Sequence, residues 1–420
     1  MTTTQASAEV AAAVAEAHRR EWAFVLAATV RLTRDLDLAE ECAQDAFAQA
    51  LTSWAADGVP VRPGGWLTTV ARRRALDALR HESVARRALP LLVGDDVEPA
   101  VDEVLGQHED EIPDDRLRLV CTCCHPALAR EAQVALTLRL ICGLTTAEVA
   151  RAFLVSEPTM AARITRAKKK IASARIPYRV PSAAELPSRV GAVLDVVHLL
   201  FTTGHTAPAG TDLVRRDLVE RSIDLARMLR GLLPDDADVA GLLALVLLTD
   251  SRRATRVGSD GRLLLLEEQD RRQWDSAEIA EGVVLVGEAL RRRPPGRFAL
   301  QAAIAAVHAQ SPTWADTDWR RIVTLYDALL EAWPSPVVAL NRAVAVGFAD
   351  GAAAGLAAVE ALADEPQLAG YAYAAAARAD FLRRLGRLDD ARLSYEEALL
   401  LTENAAEREL LQRRLAELRR

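Results

Sequence analysis

The stretch from Gly143 to Ile171, "GLTTAEVARAFLVSEPTMAARITRAKKKI", leaves little freedom in what it can become. Thr145 and Glu148 stand at the T-x-x-E spacing in which a hydroxyl and a carboxylate satisfy backbone N–H groups at a helix start. That spacing predicts a short helix over 146–153, with Val149 and Phe153 facing one way. "LVS" supplies a turn. Ser156 is placed to cap a second helix, and Pro158 falls in its first turn, where a missing N–H costs little. Along that helix Met160, Ile164, Ala167 and Ile171 form an apolar stripe, which leaves Thr159, Arg163, Arg166 and Lys170 on other faces. Between 151 and 175 there are seven basic residues and one acid. Two short capped helices, a tight turn and a basic outer face read as a helix-turn-helix whose second helix can enter a major groove. A purely structural helical hairpin is the alternative.

The rest of the chain points to an all-α fold. Half of its 420 residues are hydrophobic, only 5% are aromatic, and Ala and Leu dominate, a composition that favours helix over strand. No run of 18 or more apolar residues predicts a membrane span. The N-terminal "MTTTQASAEVAAAVAEAHRR" lacks the basic start and compact apolar core of a secretory signal, so a soluble cytoplasmic protein is expected. A net charge of −7 excludes a uniformly basic chain but not nucleic-acid binding, because the placement of positive charge decides that. There are 49 arginines and only three lysines, and the lysines are adjacent: Lys168, Lys169 and Lys170.

Upstream, "LDLAEECAQDAFAQALTSWA" has small or apolar residues at helical spacing, namely Leu38, Cys42, Ala46, Ala50 and Trp54, with Glu40, Glu41 and Asp45 on the other side. After the turn residues "DGVPVRPGG", the segment "WLTTVARRRALDALRHES" offers Trp66, Leu67, Val70, Ala71, Ala75 and Leu79 as a buried face. Arg72, Arg73, Arg74, Asp77 and Arg80 lie on or near the exposed side. A basic helix opened by an aromatic residue suits contact with DNA, and a solvated helix face is the bland reading. Residues 93–115 hold ten acids and no Lys or Arg. Such a stretch is expected to be extended or weakly ordered, as a linker or as an acidic strand that takes the place of nucleic acid in a basic channel. Beyond residue 185 the chain looks helical throughout. "RLGRLDDARLSYEEALLLTEN" fits a tetratricopeptide-like repeat, with Gly386 at the turn, small Ala391 and Ala398, and Tyr395 between them. "LYDALLEAWPSPVVALNRAVAV" suggests another repeat boundary, with Tyr326 eight residues before Pro334, for two to three repeats in all.

These segments resemble the extracytoplasmic-function class of bacterial sigma factors in the sigma-70 family. "AEECAQDAFAQAL" resembles the polymerase-binding helix of sigma region two, "PGGWLTTVARRRALDALR" the promoter −10 segment, and the helix-turn-helix the region four that reads the −35 element. The likeness spans roughly residues 15–176. "TCCHPAL", "IPYRVP", "DLVRRDLVERSIDLARMLRGLLPDD" and "SPVVALNRAVAV" resemble a subgroup with a long tetratricopeptide-like extension. The resemblance implies domains at 10–88 (region two), 89–113 (acidic linker), 114–176 (region four), 185–300 (helical extension) and 301–420 (repeats). By the same resemblance, Glu40, Glu41, Gln44 and Asp45 would meet core RNA polymerase. Trp66, Arg72, Arg73, Arg74, Asp77 and Arg80 would lie near the melted −10 strand. Thr159, Ala162, Arg163, Arg166, Lys168, Lys169 and Lys170 would sit in or beside the −35 major groove, with Arg163 and Arg166 reading bases and the lysines on phosphates. The acidic linker would thread toward the RNA exit path. Such factors lack a dedicated membrane anti-sigma protein, their extension is implicated in activity, and their genes tend to neighbour small YCII-like proteins, which makes such a protein a candidate partner. "LLFTTGHTA" departs from the Asn-Glu-Gly-Tyr type of run expected there.

The cluster "CTCCHP" holds Cys121, Cys123, Cys124 and His125. Its spacing does not match two paired ligands on separate elements, and no second cluster exists in the sequence, so packing is expected rather than metal or redox chemistry. Neither catalytic residues nor a cofactor is expected. The sequence has no G-x-S-x-G, no P-loop and no H-E-x-x-H. A helix-turn-helix regulator with a repeat scaffold is the alternative to a sigma factor.

Overall fold

The computed structural model describes residues 3–88, 115–206 without 154 and 183, and 214–418 without 259. The acidic linker at 89–113 lies outside the described residues. Among these residues the secondary structure is helical apart from a single bridge between Val257 and Leu263. The chain divides into two compact units between residues 196 and 197.

The first unit opens with α1 (Thr3–Thr33), α2 (Leu36–Asp57) and α3 (Pro63–Ala88), which pack on one another. Asp35 caps α2, its side chain accepting from the N–H groups of Asp37 and Leu38 at 2.7 and 3.0 Å. Buried residues on α2 include Cys42, Ala46, Ala50 and Trp54, and α3 answers with Leu67, Ala71 and Ala75. Of the expected face, Leu38 on α2 and Trp66, Val70 and Leu79 on α3 are half-buried.

Next come α4 (Asp115–Cys123) and α5 (Arg130–Leu136), which runs into a wide π-type turn at Thr137–Ile141. The helix-turn-helix follows as α6 (Thr146–Ala152) and α7 (Glu157–Ser173). Its caps form as the sequence predicts. Thr145 N–H donates to Glu148 Oε2 at 2.7 Å, and Glu148 N–H donates to Thr145 Oγ1 at 3.2 Å. Ser156 accepts from Thr159 N–H, and Met160, Ile164, Ala167 and Ile171 are all buried.

A short connection then ties back to α1. Tyr178 donates its hydroxyl to the Ala27 carbonyl at 2.8 Å and reaches the Asp115 carbonyl at 3.3 Å. Burial, with the nearby Asp115 charge, pushes its phenol well above the usual range, so it stays a donor. Tyr178→Phe strips a donor from both carbonyls. It should cost roughly 1–3 kcal/mol of stability in this unit, read by urea unfolding. An unchanged midpoint would mean that the ring alone holds the connection.

The second unit carries the rest of α8 (Leu186–His205), then α9 (Arg216–Leu232) and α10 (Ala237–Asp250). Nearly every residue of α10 from Val239 to Leu248 is buried, because α9, α11 (Ser276–Ala289) and α12 (Arg297–Gln310) all pack against it. From there each helix packs on the next: α13 (Trp319–Ala332), α14 (Pro336–Ala349), α15 (Ala352–Glu360), α16 (Ala372–Arg384), α17 (Leu388–Leu401) and α18 (Ala405–Glu417). Ala391, Ala398 and Tyr395 are buried between α16 and its neighbours, and Gly386 turns the chain at φ +75°. Gly347 and Gly355 let α14 and α15 touch. A Cβ on Gly355 would lie 2.6 Å from the Cα of Gly347 and 2.7 Å from the Phe381 ring.

Candidate polymerase and promoter interface

The residues expected to meet DNA from α3 form one exposed face. Arg72, Arg73, Arg74, Asp77 and Arg80 are all exposed, and Asp77 pairs with Arg80 at 3.6 Å. Trp66 is half-buried at the start of the helix, its ring 5.7 Å from that of Trp54 in an edge contact. It is thereby held at the border of the arginine face. On α7, Thr159, Ala162, Arg166, Lys169 and Lys170 are exposed. Arg163 is half-buried, with its guanidinium 5.5 Å from the Phe153 ring centroid.

The polymerase-binding set splits. Glu41, Gln44 and Asp45 are exposed on α2, but Glu40, expected on the same polar side, is buried. The structure corrects that placement. Glu40 lies between two cations from the helix-turn-helix half of the unit: Arg139 pairs with its Oε1, and Lys168 donates to its Oε2 at 2.8 Å. Lys168 also reaches Asp37 at 2.6 Å, while Arg139 holds the Leu144 carbonyl at 2.8 Å. Lys168 is thus turned inward, with only 11% of its side chain exposed, while its two neighbours point to solvent. Burial alone would lower its pKa. The hydrogen bonds that it donates to Asp37 and Glu40 outweigh that and raise it, so the ammonium is held charged.

Two further contacts join the halves. The Trp22 indole donates to the Leu140 carbonyl at 3.1 Å, in a buried contact. Gly143, at φ +69°, sits so close that a Cβ there would meet His18 at 2.8 Å and the Trp22 ring at 3.0 Å. Sequence reasoning missed Asp37, Arg139 and Trp22, because the signal that unites them is long-range and leaves no local pattern.

The cysteines are packing residues by their surroundings. All five are free and buried. Helix α4 is buried on several sides at once, through Leu117, Leu119, Val120, Cys121, Thr122 and Cys123. Burial pushes the Cys121 thiol up to about 11 and the Cys124 thiol up to about 12. Cys124 also contacts Thr137 Oγ1 at 3.4 Å. No group of three or more His, Cys, Asp or Glu among the described residues could hold a metal. Since the thiolate is the reactive form, iodoacetamide at pH 7.5 should label Cys121 and Cys124 at least ~100-fold more slowly in the folded chain than in urea. Labelling at the free-thiol rate would restore a redox role.

Three family models match this chain in the order of its parts. Sigma-70 region 2 covers residues 18–84, Sigma-70 region 4 covers 121–171, and a family of unknown function, DUF6596, covers 189–290. Helix α2 and most of α3 fall inside the first, and α6 and most of α7 inside the second. The chain belongs to the sigma-70 family, as a factor of the extracytoplasmic-function type with a C-terminal extension. A Rhizobium meliloti (strain 1021) protein described as uncharacterized is 42% identical over 387 residues, spanning 91% of this chain and 90% of that one. The sigma-70 regions support a role in promoter-directed transcription initiation, with core RNA polymerase and promoter DNA as partners. No helix among the described residues is long and apolar enough to cross a membrane.

Proposed function

We propose that this chain is a bacterial cytoplasmic sigma factor that exists free in a closed state and opens on core RNA polymerase. The observation that carries the proposal is Lys168, a residue of the DNA-reading helix, buried against Glu40 of the polymerase-binding helix. Neither residue can serve an outside partner while it serves the other. In the open state Glu40 joins Glu41, Gln44 and Asp45 against the polymerase. Trp66 and the arginines of α3 then hold the melted −10 strand by stacking and charge. Arg163 and Arg166 read the −35 major groove, while Lys168, Lys169 and Lys170 neutralise its phosphates. The chain contributes recognition and strand separation and carries out no covalent chemistry. The extension modulates this activity, and a small YCII-like protein is a candidate partner for it.

The test is transcription by purified core polymerase on fragmented genomic DNA, with and without the chain, with 5′ ends mapped. New starts sharing a spaced −35/−10 pair are expected. Duplex binding without new starts would replace the sigma reading with that of a simple helix-turn-helix regulator. A chain ending at residue 181 assigns the sign of the extension: more starts mean that it inhibits, and none from a folded truncation mean that it activates.

A further inference from the structure

Helix α10 ends in a turn that carries three arginines, Arg252, Arg253 and Arg256. Two of them are partnered. Arg253 lies 3.4 Å from Asp250 and 3.6 Å from Glu220. Arg256 donates to the His205 carbonyl and to Thr206 Oγ1. Arg252 has neither a carboxylate within 4.0 Å nor a hydrogen-bond acceptor for its guanidinium among the described residues. It is nonetheless half-buried, and burial lowers its pKa to about 10. An enclosed cation without a counter-charge is costly, and such groups are ordinarily paired.

Arg252 lines a cavity of about 280 Å³ in the second unit. No acidic residue lines it. Half of its lining residues are leucine, isoleucine, Trp274 or Tyr326. Gln301, His308 and Asn341 of "SPVVALNRAVAV" also line it, and Gln301 Nε2 and His308 Nδ1 are buried without a hydrogen-bond partner. A neighbouring cavity of about 560 Å³ shares Gln301 but is lined by Glu403 and Glu407, so its carboxylates would turn an anion toward the Arg252 chamber.

We propose that this chamber binds a small organic monocarboxylate, with its carboxylate on Arg252 and its apolar body against Trp274 and Tyr326. One planar guanidinium fits the two oxygens of a carboxylate. With no second cation lining it, the chamber is poorly matched to a phosphate dianion, and its apolar walls select an acid with a hydrocarbon body. Part of this site, including Arg252 and Trp274, lies in the 189–290 segment whose family has no assigned function.

The test needs neither polymerase nor promoter, so it stands or falls apart from the sigma reading. The full chain is melted with phenylacetate, 3-phenylpropionate and octanoate, and with the matching alcohols. The acids should raise the melting temperature of the wild type in a concentration-dependent way, and the alcohols should not. Arg252→Met keeps the apolar stem and removes the stranded charge. It should melt higher than the wild type without ligand and lose its response to the acids. Arg252→Gln should lose the response as well. Equal shifts with acids and alcohols would overturn the assignment, and so would no shift with any acid. A lower melting temperature in both variants would make Arg252 a structural residue and end the proposal.

Discussion

Lys168→Glu is expected to open the first unit. The substitution faces a new carboxylate toward Glu40 and Asp37, where the wild type has hydrogen bonds of 2.8 and 2.6 Å. Glu40 and Lys168 keep only 8% and 11% of their side chains exposed, so the contact is poorly screened by solvent. Breaking a buried pair by removing one partner costs about 3–5 kcal/mol, and charge reversal adds repulsion. Arg139 still holds Glu40 and moderates the loss. Hydrogen exchange along α2 and α7 should accelerate, and the radius of gyration of the free chain should grow. Core polymerase, measured without DNA, should bind more tightly, because an apparent dissociation constant carries the inverse of the competent fraction. A lock of about 3 kcal/mol corresponds to roughly a hundredfold in that fraction. Lys169→Glu is the control, since it makes the same charge change on an exposed neighbour. Equal exchange and affinity in the two variants would remove the lock from the account. Gly143→Val offers an independent wedge. Its side chain must displace His18 and Trp22, and its φ of +69° is unfavourable for a β-branched residue, so it should open the same seam without altering charge.

What could be read in the sequence follows from the range of the interactions. The helix-turn-helix was legible nearly to the residue, because a capping box, an N-cap serine, an early proline and an i, i+4 stripe all act within one or two helical turns. The arginine face of α3 was legible for the same reason. Cys121, Cys123 and Cys124, expected to pack, are all buried. Glu40 misled because periodicity assigns a residue to a side of its own helix and is silent about what arrives there. Arg139 and Lys168 arrive from far along the chain. The setting of Arg252 is long-range as well, because residues of α12, α13 and α14 line the cavity beside it.

The second unit should fail in mild acid. His198, His205 and His308 are enclosed there, and each is held neutral. Burial lowers His198 to about 4. Burial, then the charges of Arg271 and Arg252, lowers His308 to about 4. Burial, then Arg256, Arg252 and Arg253, lowers His205 to about 2. An unfolded histidine titrates near 6.5. Between that value and the folded pKa the unfolded chain binds protons that the folded chain does not, so stability falls as pH falls. Above pH 6.5 the effect is absent. At pH 5 each histidine costs about 2 kcal/mol, at 1.36 kcal/mol per pH unit. Three such costs reach the size of a typical domain's whole stability, about 5–15 kcal/mol. Hydrogen exchange followed from pH 7 to 4.5, corrected for intrinsic rates, should show cooperative loss of protection in α8, α10 and α12. The His198→Gln, His308→Gln double variant carries two fewer titrating sites, and its acid midpoint should move down. An unchanged midpoint would shift the cause to the carboxylates. Arg252 lowers the pKa of both His205 and His308, so its charge is part of this weakness. An organic anion seated on it would offset that charge, make protonation of His308 cheaper, and move the acid midpoint down in the wild type but not in Arg252→Met.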